Sequence, residues 1–304
     1  MSGIRTNRTN GTSGLHIRVP NRFLIWGGHG WIAGLLKDLL HHQGKEVYTT
    51  TIRMEDRDDV AKALEVLKPT HVLDAAGCIG RPNVDWCEDN KAQTVRSNVV
   101  GTLTLADECD KRGIHCTVFA TGYIYQYDEE HPIGGPGFKE TDAPNFDGSF
   151  YSMTKAHVEP ILASFKNVLI LRLRMPVSDD LNHRNFVTKI SECRGYDFTN
   201  PGAISHNEVL GLFKEIVRPG FTWKNFSIED QARVIKAGRS NCQLDTAMLV
   251  KKMMGYGHEI PEVHEAYRQC FERMKAAGIQ WLLILVNSLI FLQSVCQRPS
   301  LDRS

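Results

Sequence analysis

From residue 22 onward, apolar and polar positions follow two rhythms in turn. Arg22-Phe23-Leu24-Ile25-Trp26 is a short apolar run that breaks into Gly27-Gly28-His29-Gly30. Trp31, Ile32, Leu35, Leu36, Leu39 and Leu40 then recur at helical spacing. Glu46–Thr51 reads as a second strand, and Asp56 to Leu67 as a helix stopped by Pro69. Thr70-His71-Val72-Leu73-Asp74-Ala75-Ala76-Gly77 reads as a strand running into small residues, as expected where a chain passes over a cofactor. Gln93 to about Arg112 is periodic as one long helix carrying Asn98. Cys116–Ala120 is a further strand ending at Thr121, and Val168–Arg172 another. Between them, Gly122 to Gly148 is long and rich in Gly and Pro, and such a loop inside an ordered domain is usually functional. Strands alternating with helices in this order predict an α/β fold with a doubly wound parallel sheet.

Two motifs sit on this frame. Gly27-x-x-Gly30-x-x-Ala33 has the G-x-x-G-x-x-G/A spacing, placed between a strand and a helix. An ordinary βα turn also uses glycine, but the context favours a turn on which a dinucleotide pyrophosphate rests. No acid stands at the end of the second strand to hold a ribose 2′-hydroxyl; the first charge there is Arg53, which suits a 2′-phosphate. NADP(H) is therefore favoured, with NAD(H) as the alternative. The second motif is Tyr151-x-x-x-Lys155, four apart on one helix face. A free tyrosine titrates at about 10. A neighbouring ammonium would lower that value, so that the hydroxyl could pass a proton to a carbonyl as hydride arrives. Two solvated helix residues share this spacing by chance, so the glycine turn upstream carries the weight.

Composition narrows the class. The 304 residues suffice for one large α/β domain or two smaller ones. A net charge of +1 makes no electrostatic case for nucleic acid. Eight cysteines without a C-x-x-C pair or a cysteine–histidine cluster suit free thiols in a reducing cytoplasm and no metal site. Residues 1–20 are polar and acid-free, the mark of a disordered tail. They lack a secretory core segment; their Arg-rich character is shared with mitochondrial transit peptides, but no apolar helical face accompanies it. Ile279 to Cys296 is uncharged and mostly apolar, and its 18 residues reach the lower limit of a membrane span. A packed helix, or an end foreign to the rest of the chain, is the expectation instead.

The stretches Phe23–Gly34, Lys68–Glu88, Asn98–Ala106, Phe119–Tyr127, Gly137–Lys155, Leu171–Ile190, Asp197–Glu208 and Ala237–Asp245 resemble the extended short-chain dehydrogenase/reductases. Within them the chain is most similar to reductases of the dTDP-4-dehydrorhamnose reductase type, including plant and fungal bifunctional nucleotide-rhamnose epimerase/reductases. The resemblance implies NADPH-dependent reduction of the C4 keto group of a 4-keto-6-deoxy nucleotide sugar. It assigns Tyr151 as proton donor, Lys155 as its tuner and as a ligand of the nicotinamide ribose, and Thr121 as the partner of the substrate carbonyl. Gly27, Gly30 and Ala33 would cradle the pyrophosphate, with Arg53, Ala75 and Ala76 completing the cofactor side. Tyr123, Asn185, Lys189 and Arg239 would face the substrate, Arg239 at its diphosphate. Residues 21–180 would form the cofactor domain and 181–275 the substrate-binding part, with a homodimer as the candidate assembly and no membrane.

Three departures from the family follow. Gly122-Tyr123 stands where dehydratases carry Asp-Glu, which argues against dehydration. Tyr123 replaces the cysteine of the bifunctional enzymes, which argues against epimerisation. Roughly forty family residues are missing near 191–195, which would open a sheet edge. Two other readings stay open: an inactive NADP-binding subunit like the beta subunit of methionine adenosyltransferase, and an inactive remnant.

Overall fold

The computed structural model describes residues 21–81, 83–174, 178–180, 182, 202–225, 233 and 235–277. The proposed tails (1–20 and 279–296), Asn185, Lys189 and the 191–195 junction lie outside these.

Five short runs of apolar and β-branched residues form one parallel sheet: β1 (Arg22–Trp26), β2 (Glu46–Thr50), β3 (His71–Asp74), β4 (His115–Thr121) and β5 (Val168–Leu173). Their order is β2-β1-β3-β4-β5. The chain reverses direction across the sheet between β1 and β3, and at such a switch point doubly wound sheets leave a crevice beyond the strand carboxyl ends. In register, Trp26 stands beside Asp74, and Asp74 beside Val118.

Alternation along the strands feeds two cores. Leu24, Trp26, Val72, Cys116 and Val118 pack on one face with Leu105, Ala106, Cys109, Val158 and Leu162. Ile25 packs on the other with Ala33, Leu40, Phe23, Val47 and Leu73. Burial on both faces is why the central strands read as continuous apolar runs rather than alternating ones. The edges are looser: Tyr48 of β2 is 39% exposed and Leu169 of β5 44%.

Helices α1 (Trp31–His42) and α2 (Arg57–Leu67) cover the first half of the sheet. Asp56 caps α2 by accepting from the Asp59 amide. The long helix expected over 93–112 differs in a telling way. It follows a short helix α3 (Trp86–Asp89) and is built of α4 (Lys91–Val95), a wider π turn (Arg96–Gly101) and α5 (Thr102–Asp110). Such turns interrupt helices mostly at functional sites, and this one carries Asn98, fully buried. Helix α6 (Phe150–Leu162) is capped by Ser149, whose hydroxyl accepts from the Ser152 amide.

A separate apolar cluster joins α7 (His206–Ile216) to α9 (Val263–Ala276) through Val209, Phe213, Ile216, Tyr267, Phe271 and Met274. Helix α8 (Ala247–Gly255) buries none of its residues.

Candidate active site

The glycine turn is tight because the next strand end presses on it. At Gly27, where φ is +80°, an added Cβ would sit 2.8 Å from the backbone of Ala76. At Gly30 it would meet the Gly27 carbonyl at 3.0 Å. Gly28 donates to the Thr50 carbonyl at 2.8 Å, fixing the turn to the end of β2. The structure thus brings Gly27, Gly30, Ala75 and Ala76 together, as expected. Ala33 differs from expectation. It is fully buried among Ile25 and Leu40, so it keeps α1 close to β1 rather than cradling a ligand. Arg53 is exposed just beyond β2.

Helix α1 begins without a side-chain cap and without an acid in its first turn. Helices α2, α6, α7 and α9 each carry a capping side chain. The bare amides at the start of α1, behind a glycine turn, suit an anionic group such as a pyrophosphate.

Beyond Ala76 the wall continues through Gly77. A Cβ there would lie 3.8 Å from both Lys155 Nζ and Asn98 Oδ1. Asn98 holds the neighbouring peptide from both sides, accepting from the Cys78 amide at 2.8 Å and donating to its carbonyl at 2.9 Å. Lys155 is buried at 6% exposure, and burial pulls its pKa down against the opposing pull of Asp74, Glu159 and Cys78. Asp74 ends β3 at 1% exposure, and burial pushes it up to about 6 despite the Lys155 charge and a bond from the Ala76 amide at 3.1 Å.

Tyr151 lies near enough to the Thr121 hydroxyl to be influenced by it, and Thr121 Oγ1 accepts from the Tyr123 amide at 3.1 Å. Burial pushes Tyr151 up to about 12, and the neighbouring Thr121 hydroxyl pulls the other way. This corrects the expectation that Lys155 tunes the tyrosine downward: desolvation of the phenolate outweighs the other influences. Tyr151 is therefore a protonated hydroxyl at neutral pH, the state a proton donor needs.

The far wall is assembled from distant segments. Arg174, at 3% exposure, donates to the Gly122 carbonyl at 3.1 Å and to Ser240 Oγ at 2.9 Å, and its guanidinium lies 4.6 Å from the Tyr123 ring centroid. Phe138 exchanges bonds with Gln243 and Asp245, which zips the 122–148 loop to residues 241–245. Within that loop, Phe138 stacks on Tyr125 and His131. Arg239 donates to Asp85 at 3.0 Å and to the Ala237 carbonyl at 2.7 Å, so its charge is already matched in this structure.

Asp74 and Asn98 were missed as site residues. A carboxylate inside the apolar run Val72-Leu73-Asp74-Ala75 was a usable signal for the first; nothing in the helical periodicity marked the π turn for the second.

A parallel doubly wound sheet whose strand ends present a glycine turn, a buried lysine and a Thr–Tyr pair defines an NAD(P)-dependent oxidoreductase of the short-chain dehydrogenase/reductase class. The RmlD substrate binding domain matches residues 21–195, and the chain belongs to that family. It is 48% identical over 258 residues to the bifunctional dTDP-4-dehydrorhamnose 3,5-epimerase/dTDP-4-dehydrorhamnose reductase of Arabidopsis thaliana, covering 75% of this chain and 86% of that protein. It is 45% identical to a trifunctional UDP-glucose 4,6-dehydratase/UDP-4-keto-6-deoxy-D-glucose 3,5-epimerase/UDP-4-keto-L-rhamnose-reductase of the same plant, but spans only 41% of that longer protein. The crystal structure of a UDP-rhamnose synthase from Acanthamoeba polyphaga mimivirus superposes with a TM-score of 0.77 at 31% identity, over 84% of this chain and 100% of that one. Among the described residues no helix is long and apolar enough to cross a membrane.

Proposed function

We propose that this chain uses NADPH to reduce the C4 keto group of a 4-keto-6-deoxy nucleotide sugar, the reductive step of nucleotide-rhamnose synthesis. The observation that carries the reading is the convergence of Thr121 at the end of β4 with Tyr151 and buried Lys155 on α6, beside the Gly77 wall that follows the glycine turn. Relatives named as 4-keto-rhamnose reductases, similar over most of this chain, support the substrate class.

The residues present fit a nicotinamide dinucleotide. The Gly27–Gly30 turn and the uncapped start of α1 would take the pyrophosphate, Arg53 the 2′-phosphate, Ala75 and Ala76 the cofactor's flank, and Lys155 the ribose. When bound, the cofactor supplies hydride. Thr121 orients the carbonyl and Tyr151 delivers the proton to its oxygen. Lys155, with Asp74 behind it, supplies positive charge as the phenolate forms. Tyr123, Asn185, Lys189 and Arg239 would contact the sugar nucleotide, within a substrate part over 181–275. A diphosphate at Arg239 would share that guanidinium with Asp85. With Tyr123 in the place of cysteine, epimerisation at C3 and C5 is expected to be weak or absent.

Purified protein should consume NADPH when given the UDP- or dTDP-linked 4-keto-rhamnose. The unepimerised 4-keto sugar in deuterated water should show little or no protein-dependent exchange at C3 or C5. NADPH binding without any turnover would replace this reading with that of a regulatory NADP-binding subunit. Arg53→Asp should weaken NADPH more than NADH; equal weakening would remove Arg53 from the 2′-phosphate.

A further inference from the structure

Two cysteines meet at the edge of this site. The chain turns sharply at Gly80, where φ is +69° and an added Cβ would lie 2.4 Å from Trp86 Cβ. That fold-back carries Cys87 over Cys78: Cys87 Sγ donates to the Cys78 carbonyl oxygen at 3.8 Å, which sets the two cysteines next to each other. Cys78 is partly exposed, whereas Cys87 is fully buried. The other neighbouring pair, Cys109 and Cys116, lies wholly inside the core, where a solute has no access.

We propose that Cys78 and Cys87 form a reversible disulfide that switches the Tyr151 site off under peroxide. The Cys78 thiolate attacks one oxygen of hydrogen peroxide, giving a sulfenic acid and hydroxide. The Cys87 thiol then displaces hydroxide from that sulfur; its own proton leaves with the hydroxide as water, and the S–S bond forms. Two thiols are oxidised and one peroxide is reduced to two waters. Exposure gives Cys78 the first step. Cys87, shut away from peroxide but next to Cys78, is left the second, resolving role.

The bridge would reach the catalytic groups by two routes. Cys78 is pinned through its amide and carbonyl to Asn98, and the adjoining Gly77 lies against Lys155 Nζ. Cys87 sits in α3, whose Glu88 accepts from the Phe150 amide at 2.7 Å, at the start of the helix that carries Tyr151 and Lys155. Drawing the two sulfurs to bonding distance, about 2 Å, must shift one of these attachments. The loss of activity rests on the proposed reduction; the disulfide itself does not.

The test uses the full chain, reduced, then exposed to hydrogen peroxide, alkylated and digested without reductant for mass spectrometry. We expect a Cys78–Cys87 linked peptide, two hydrogens lighter than its free parts. We also expect a loss of NADPH turnover that dithiothreitol restores. In Cys78→Ser, activity at whatever starting level should be unmoved by peroxide, and Cys87→Ala should trap Cys78 as the sulfenic acid. Peroxide that oxidises Cys78 without the linked peptide, or a linked protein that turns over as fast as the reduced one, overturns the proposal. A protein that links but never reduces the sugar fails the functional reading and keeps the disulfide; one that reduces the sugar but never links fails the disulfide alone.

Discussion

The two walls of the site are held by different physics. The cofactor wall (the glycine turn, Ala75–Gly77 and Thr121) hangs from strand ends whose register is shared by many backbone hydrogen bonds and by buried Leu24, Trp26, Val72 and Val118. The opposite wall, the 122–148 loop laid on residues 236–245, has one small apolar cluster (Ile124, Tyr125, Phe138, Cys242 and Leu244) and otherwise hangs from polar contacts. Arg174 bridges to Ser240, Arg239 to Asp85, and Phe138 to Gln243 and Asp245. A wall made of many small apolar contacts yields gradually when one is removed. A wall that leans on buried polar contacts around a small apolar cluster is more sensitive to single residues, because each loss leaves unsatisfied partners in a dry place.

The largest expected effect is on chemistry at the first wall. Tyr151→Phe removes the proton donor and should lower turnover by about 10²–10⁴-fold. NADPH affinity, measured by fluorescence, should be nearly unchanged, because the hydroxyl acts on the substrate. Lys155→Met should harm both. Equal turnover with Phe at 151 would remove the Thr–Tyr–Lys cluster from the mechanism.

Next comes a matched pair of substitutions. Arg174→Leu strips donors from the Gly122 carbonyl and Ser240 and should cost about 1–3 kcal/mol in denaturant titrations. Leu105→Ala, in the sheet core, should cost a comparable amount, about 2–5 kcal/mol. The two should part in kinetics: Arg174→Leu raises KM for the sugar nucleotide, while Leu105→Ala leaves it alone. A raised KM in both would erase the distinction between the walls.

Asp74 gives a pH signature to the first wall alone. Its carboxyl titrates at about 6 in the folded chain, against an ordinary 3.8. Between those values the folded state holds a proton that the unfolded state has released, so stability falls as pH rises through that window, by about 3 kcal/mol in all. Asp74→Asn should flatten that stretch of the stability curve. It should also move the alkaline limb of activity to lower pH, since Asp74 is the largest of the charges that raise Lys155 against burial. A pH curve unchanged by Asp74→Asn would assign the titration elsewhere.

The smallest effects are at helix starts. Asp56→Ala on α2 and Ser205→Ala on α7 each remove one side-chain cap and should cost about 1 kcal/mol by thermal unfolding. Ser205 belongs to a reciprocal pair with Glu208, so its loss should be the larger of the two.

What the chain order determined by itself is the first wall. Apolar runs and helical spacing placed β1 through β5 to within a few residues, and the glycine spacing and Tyr151–Lys155 named groups that do converge. These features are local: a strand, a turn and a helix each carry their pattern in a dozen consecutive residues, and a parallel sheet then has few ways to join them. Tertiary structure alone decided the rest. It set Asp74 behind Lys155, opened the helix at Asn98, buried Ala33, and turned Arg239 onto Asp85. It also reversed the expected influence on Tyr151, because a pKa depends on solvent exclusion summed over the whole fold, and no spacing along the chain encodes how dry a hydroxyl will be.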